Sequence, residues 1–331
     1  MNSSPTALDV LCLRPEADFE RADALPPPAL RIAYRSPDDS DVPDLMKQAS
    51  VLVIPAVGPK LPCALFEGAS VKFVQVTGAG LDRLDLHTML RLGISVANVP
   101  GGSNIALAEY AVTAAATLLR RLAWSDSEIR AGRYAAFRVR VLAENLSGLD
   151  GLTVGIVGLG TVGLAVAQAF HARGCNILYF DPAPRHPEAT IAIGAKSLPL
   201  DELLAKSDVV TLHVPLIAAT QNLIGPDQLV LMKPTAILIQ ASRGGVVNEA
   251  ALADCLRFGH LGGAAVDVYS SEPPALDNPL LTLDGDAACK LLLTPHIAGV
   301  TRQSSTFLFR SAWRNVERVL IANQPPVDRV V

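Results

Sequence analysis

The sequence predicts an α/β protein of two domains, the larger built on a doubly wound parallel sheet. Three observations carry that expectation. Short apolar runs alternate with helical patterns along the chain, a glycine turn joins strand to helix near residue 158, and 331 residues that are 50% hydrophobic supply two cores. Aromatic residues are few while Ala, Val and Leu dominate, which suits parallel strands buried beneath helices on both faces.

The elements follow in order. Apolar runs at 8–13, 30–34, 51–55, 73–76 and 95–98 predict short strands, with helical pieces at 44–48 and 87–92, and so a small parallel sheet. The prolines at 26–28 mark a loop within it, because apolar alternation resumes directly afterwards. Val99-Pro100-Gly101-Gly102-Ser103-Asn104 punctuates the chain, and Ser103 or Asn104 caps a helix predicted over 105–122. The small face of that helix (Ala111, Ala114, Ala115) suits either a subunit interface or burial within the same chain. Further strands are expected at 153–157, 177–180, 209–214, 236–240, 263–268 and 291–294, with helices at 162–172, 200–206, 226–231 and 249–258. A last helix over 303–321 is expected to pack back on the N-terminal domain. The domains are therefore expected at 1–99 plus 299–331, and at 100–298.

The turn after the strand at 153–157 is the most informative stretch. Gly158 allows a tight turn, Gly160 lets backbone approach a pyrophosphate, and Gly163 lets helix and strand pack closely. Phosphates would rest on free N–H groups at the helix start, where the helix dipole favours negative charge. Asp181 closes the next strand, where its carboxylate accepts from ribose hydroxyls and repels a 2′-phosphate, so NAD is expected over NADP. Arg185 follows closely and is the one nearby cation that would favour NADP. A turn-forming role before Pro182 is the plainer reading of Asp181, as packing alone is of the glycines.

Composition narrows the function classes. A net charge of −4 without runs of one sign gives no nucleic-acid face and no membrane-surface helix. The most apolar helical stretch, 105–119, contains Glu109 and runs into Arg120-Arg121, which argues against a membrane span. Cys12, Cys63, Cys175, Cys255 and Cys289 have no metal-ligand spacing, so a metal is not expected and a reducing cytoplasm is the simplest setting. The Met1 to Pro5 segment lacks a basic region and apolar core, so no secretory signal is expected.

An enzyme that uses a nicotinamide to act on a hydroxyl or carbonyl needs a proton-passing group, a partner to tune it, and a cation for an acidic substrate. Three candidates stand at strand ends or in the following loops: Arg243, Glu272 and His296. Histidine titrates nearest neutral pH, a carboxylate beside it fixes the tautomer, and arginine offers a permanently charged fork that matches a carboxylate. Each alone reads more readily as a loop or strand-end residue, and it is their order and placement after a dinucleotide fingerprint that sets them apart.

In combination, the motifs resemble those of the D-isomer-specific 2-hydroxyacid dehydrogenases. The resemblance runs from about Val71 onward through Gly78-Ala79-Gly80-Leu81-Asp82, Val99 to Asn104 with Ala108-Glu109, Val157 to Gly163, His213 to Leu216, Ser242-Arg243-Gly244, Gly262 to Val268, Glu272-Pro273 and Thr294 to Gly299. It implies a Rossmann NAD-binding domain inserted into a smaller flavodoxin-like substrate domain, and a homodimer. It further implies that His296 protonates a 2-oxo acid's carbonyl oxygen, that Glu272 holds His296, and that Arg243 binds the carboxylate and polarises the carbonyl. Backbone N–H groups of Gly78, Ala79 and Gly80 would hold the carboxylate, so that residues from both domains close on a small anion. Asp267 would contact the nicotinamide carboxamide, with a strand-end cap as its plainer role. His213, Val214, Pro215, Thr161, Val162, Thr220, Ala241, Ser242 and Gly299 would line the cofactor site.

The chain departs from the family pattern in places. Gln240 stands where asparagine is frequent, the 276–290 stretch is long and acidic, and no Arg-Ser-x-Thr pattern occurs at 53–60, which argues against a phosphorylated substrate although Lys60 and Arg83 are near. No regulatory domain is expected after Val331. The expected activity is NAD-dependent reduction of a small 2-oxo acid such as glyoxylate, hydroxypyruvate or pyruvate to its D-2-hydroxy acid. The rival readings are a dinucleotide-sensing scaffold of the C-terminal-binding corepressor type and a formate- or phosphite-type dehydrogenase.

Overall fold

A computed structural model describes residues 8–183 and 187–331; Met1 to Pro5 and Arg185, weighed above, lie outside the described residues. The chain divides into two compact units, Met1–Ser103 with Val300–Val331, and Asn104–Gly299. The first begins β1 (Val10–Cys12), α1 (Glu16–Arg21), β2 (Ile32–Tyr34), α2 (Val42–Met46), β3 (Val51–Ile54), β4 (Phe73–Val76), α3 (Leu86–Leu92) and β5 (Ser95–Ala97). Its described residues form a five-stranded sheet in the order β2-β1-β3-β4-β5, parallel throughout. This is the flavodoxin-like order. Every residue of β3 and β4 is buried, which is why β3 reads as an unbroken apolar run and β4 as one interrupted only by Gln75.

The second unit runs α4 (Asn104–Leu119), α5 (Leu122–Arg130), α6 (Tyr134–Glu144), β6 (Thr153–Val157), α7 (Thr161–His171), β7 (Asn176–Phe180), α8 (Pro187–Ala192), β8 (Lys196–Ser197) and α9 (Leu200–Lys206). It continues as β9 (Val209–Leu212), α10 (Pro226–Leu229), β10 (Ile237–Gln240), α11 (Glu249–Arg257), β11 (Gly263–Val266), α12 (Gly285–Cys289) and β12 (Leu291–Leu293). The seven strands are ordered β12-β11-β10-β9-β6-β7-β8, all parallel. From β6 the chain winds outward through β7 and β8, then returns to the other flank of β6 as β9. The loops after β6 and β9 thus part at the switch point, where doubly wound sheets bind ligands.

α13 (Arg302–Leu320) belongs to the first unit. It buries Phe309, Trp313 and Val316 against Phe19, Val10 and Val51, with Trp313 and Phe19 ring centres 5.1 Å apart. Asn315, buried in the same helix, donates to Gln75 Oε1 on β4 at 2.9 Å and accepts from Val327 N–H at 2.9 Å. The buried amides of Asn315 and Gln75 are therefore paired with each other rather than left to destabilise the core.

Several expected details differ. The helix predicted over 105–122 stops at Leu119, because Arg121 turns into the left-handed region (φ 53°) and donates to Gly262 O at 2.9 Å. Two unforeseen helices follow, α5 and α6, stapled by Trp124 against Phe137 and by the Arg140 guanidinium 4.2 Å over the Trp124 ring. The same Arg140 pairs with Asp286, which gives the acidic 276–290 stretch its anchor. Ala111, Ala114 and Ala115 are buried within the chain, in one core with Val166, Ala167 and Phe170 of α7. Same-chain burial, not a subunit interface, uses that small face.

Candidate active site

The glycine turn follows β6. Gly158 has φ 90°, and a Cβ there would stand 2.6 Å from the His213 carbonyl oxygen at the end of β9, so only glycine fits. A Cβ on Gly163 would collide with the Gly158 carbonyl. At Gly160, by contrast, a Cβ would meet nothing within 4 Å. No side chain caps α7, so its first N–H groups, at the open side of Gly160, have the character of an anion site.

Asp181 sits at the end of β7 beside this turn. Its Oδ2 accepts from Leu159 N–H at 2.8 Å, and its Oδ1 from Ala183 N–H at 2.9 Å. The acid and the glycine turn are thus one structure, with the carboxylate held at its rim. On the other side of the switch point His213 bonds Thr211 Oγ1 at 2.9 Å, and burial pushes its imidazole down to about 4, so it is neutral. Val214 packs against the core that β9 enters, and Thr220 accepts from Ile217 N–H at 2.9 Å while donating to Pro215 O, which closes the 215–220 turn.

The loop after β10 holds Ala241, Ser242 and Arg243. Gln240 shapes it from beneath: its Nε2 donates to Arg243 O at 2.9 Å, while its Oε1 accepts from Ser242 Oγ at 2.8 Å. Gln240 is 2% exposed, so the departure from asparagine serves the loop's backbone rather than solvent. The Arg243 guanidinium donates to Ser242 O at 2.8 Å.

His296 and Glu272 meet. His296 Nδ1 lies 2.7 Å from Glu272 Oε2, while Glu272 Oε1 accepts from Tyr269 N–H at 3.1 Å. With Nδ1–H committed to the carboxylate, Nε2 is the nitrogen left to exchange a proton with a ligand. The side chains are 25% and 29% exposed, so the pair is reachable from solvent yet partly desolvated. Asp267, at the end of β11, turns inward. Its Oδ1 accepts from Thr294 Oγ1 at 2.6 Å and Ile297 N–H at 2.8 Å, and its Oδ2 from Ala298 N–H at 2.8 Å. Asp267 is 1% exposed, and its carboxylate fastens the loop from Thr294 to Gly299 that carries His296.

In the first unit, the loop after β4 holds Gly78, Ala79 and Gly80. The carbonyls of Gly78 and Ala79 are tied back, by Val99 N–H at 2.9 Å and Asn98 Nδ2 at 2.8 Å, whereas the N–H groups of Gly78, Ala79 and Gly80 donate no hydrogen bond among the described residues. Consecutive free N–H groups of this kind suit an anion. Lys60 and Arg83, the nearby cations, are engaged: Lys60 pairs with Asp85 at 3.3 Å, and Arg83 Nε donates to Pro59 O at 2.9 Å.

Tyr269, Thr294 and Tyr110 carry no role in the sequence reading, although Thr294 opens the motif that holds His296. They are ordinary core or loop residues in any periodicity argument, and only their hydrogen bonds reveal a part in the site.

Residues 112–298 match the family model described as "D-isomer specific 2-hydroxyacid dehydrogenase, NAD binding domain". A D-3-phosphoglycerate dehydrogenase of Archaeoglobus fulgidus is 38% identical over 71% of this chain and 42% of its own length. A second such enzyme, of Methanocaldococcus jannaschii, is covered over 50% of its length, so the chain spans about half the length of these curated relatives. A glyoxylate reductase of Thermofilum pendens is 35% identical over 78% of this chain and 74% of that one. The crystal structure of a glyoxylate reductase from Paecilomyes thermophila superposes with a TM-score of 0.80 at 25% identity, covering 98% of this chain and 99% of that one. Two parallel-sheet units and a glycine turn at a switch point define a dinucleotide-binding α/β protein. The chain belongs to the D-isomer-specific 2-hydroxyacid dehydrogenase family, and Asn104–Gly299 is its NAD-binding unit.

Proposed function

We propose that the protein is an NAD-dependent reductase of small, unphosphorylated 2-oxo acids such as glyoxylate, hydroxypyruvate or pyruvate, giving D-2-hydroxy acids. The observation that carries this reading is the 2.7 Å contact between His296 Nδ1 and Glu272 Oε2, on a loop that Asp267 fastens. Bound NADH supplies the hydride; the chain's own groups do the rest. Arg243 binds the substrate carboxylate in its guanidinium fork and polarises the carbonyl. The Nε2–H of His296 passes its proton to the carbonyl oxygen, and Glu272 holds the ring so that Nε2 presents it. The N–H groups of Gly78, Ala79 and Gly80 suit an anion, while Gly158, Gly160, Thr161 and Val162 cradle the pyrophosphate and Gly163 lets the helix pack on its strand. Asp181 favours NAD.

The engaged state of Lys60 and Arg83 supports the unphosphorylated substrate class. We also propose a cytoplasmic homodimer. All five cysteines are unpaired, which supports a reducing setting, and exposed Leu122, Tyr134, Val139 and Leu142 on α5 and α6 offer apolar surface for a second copy. Among the described residues no helix is long and apolar enough to cross a membrane. The decisive experiment follows NADH absorbance with a panel of 2-oxo acids, with 3-phosphohydroxypyruvate as the phosphorylated control. Turnover of none of them would remove the enzymatic reading, and light scattering of a monomer would remove the dimer.

A further inference from the structure

We propose that Tyr110 and Thr294, acting through Asp267, are positioning residues that hold His296 in place for proton transfer. The proposal rests on the reading of His296 as the proton donor. His296 adopts φ 54°, a left-handed backbone that a non-glycine residue keeps only where its surroundings enforce it. Those surroundings can be traced bond by bond. His296 N–H donates to the Asp267 carbonyl at 2.8 Å, and the two residues after it, Ile297 and Ala298, donate to the two Asp267 carboxylate oxygens, each at 2.8 Å.

The carboxylate can only accept, so the single Thr294 hydroxyl proton, 2.6 Å away, goes to Asp267 Oδ1. Thr294 Oγ1 is then left as an acceptor, and Tyr110 OH, 2.7 Å distant, must be its donor. The direction of the chain is therefore fixed: Tyr110 to Thr294 to Asp267, with the His296 loop closing on the same carboxylate. Burial pushes the Tyr110 phenol up to about 12, so it keeps the proton it donates throughout the neutral range. A second tyrosine braces the same residue, since Tyr269 OH donates to Thr294 O at 3.0 Å and Tyr269 N–H holds Glu272.

Tyr110 lies on α4, 184 residues from Thr294 in sequence, and touches neither the histidine nor its carboxylate partner through any of these bonds. Its role is to keep Asp267 Oδ1 bonded to Thr294, so that the carboxylate stays aimed at the loop amides. Charged and short hydrogen bonds in series reinforce one another, and loss of the first link weakens those after it. The expected effect of Tyr110→Phe is a kcat about three- to tenfold lower, the size of one hydrogen bond, with the KM for NADH within about twofold of the parent.

The test combines kinetics with amide hydrogen exchange on the full chain. In Tyr110→Phe and Thr294→Val the Ile297 and Ala298 amides should exchange faster while those of β6 and β9 do not change. Thr294→Ser, which keeps the hydroxyl, should restore most of what Thr294→Val loses, and Tyr110→Phe should add nothing to Thr294→Val. Unchanged loop exchange in Tyr110→Phe, or acceleration spread evenly through the sheet, would overturn the proposal. If the parent protein turns over no 2-oxo acid, the reaction assigned above fails on its own, and the exchange arm still decides whether Tyr110 holds the loop.

Discussion

Replacing Asp181 by serine tests the assignment of cofactor through a quantity that the structure lets one estimate. The carboxylate is half-buried at the end of β7, bonded to Leu159 N–H at 2.8 Å in the glycine turn. A 2′-phosphate on the adenosine ribose would bring up to about two negative charges to about 5 Å from it. At an effective dielectric constant of about 20 to 40, and allowing for salt, the repulsion comes to about 2–4 kcal/mol. That corresponds to a discrimination against NADPH of about 30- to 1000-fold. In Asp181→Ser the repulsion disappears, while the Leu159 and Ala183 amides lose their acceptor, so activity with NADH should fall by about tenfold. The assay is kcat/KM for NADH and for NADPH with a fixed 2-oxo acid, in parent and variant. The NADPH to NADH ratio should rise by at least about 30-fold, and a rise below about threefold would refute the electrostatic role given to Asp181.

Other outcomes are equally open to measurement. His296→Asn should lower kcat by about 10²- to 10⁴-fold while leaving the thermal midpoint nearly unchanged, and a loss below about tenfold would remove His296 as the proton donor. Trp313→Ala, which empties a site 3% exposed beside Phe19, should cost about 3–5 kcal/mol in urea unfolding, and a cost below about 1 kcal/mol would mean that α13 is not packed as described. The depressed pKa of His213 has a sign that can be checked: from its ordinary value of 6.5 down to about 4, the unfolded chain binds a proton that the folded one does not. Its contribution to stability therefore falls as pH drops through that window, by about 1–3 kcal/mol for a half-buried group. His213→Gln should flatten the slope by that amount, and an unchanged slope in parallel urea titrations at neutral and acid pH would contradict it.

Local patterns made much of this protein legible. Parallel strands are buried on both faces, so β4 and β6 stand out as short, mostly apolar runs, and their bounds, Phe73–Val76 and Thr153–Val157, agree with those expected from the sequence. The glycine turn was readable because its requirements are backbone ones: a positive φ at Gly158 and a close approach at Gly163 admit no side chain. Residue chemistry and position at strand ends together singled out Arg243, Glu272 and His296, and the family resemblance gave them their roles.

What the sequence could not decide concerns which groups meet. The alanine face of α4 suited a subunit interface as well as its own chain, and only the docking of α7 against it shows which surface it covers. The break at Arg121 depends on the Gly262 carbonyl, 141 residues away, which no local propensity encodes. Asp267 read as a strand-end cap or a cofactor contact, yet three donors from Thr294, Ile297 and Ala298 converge on it and make it the clasp of the His296 loop. The reason is common to these cases: periodicity and residue type report what one stretch prefers, whereas packing and hydrogen bonds between distant segments exist only once the fold has brought those segments together.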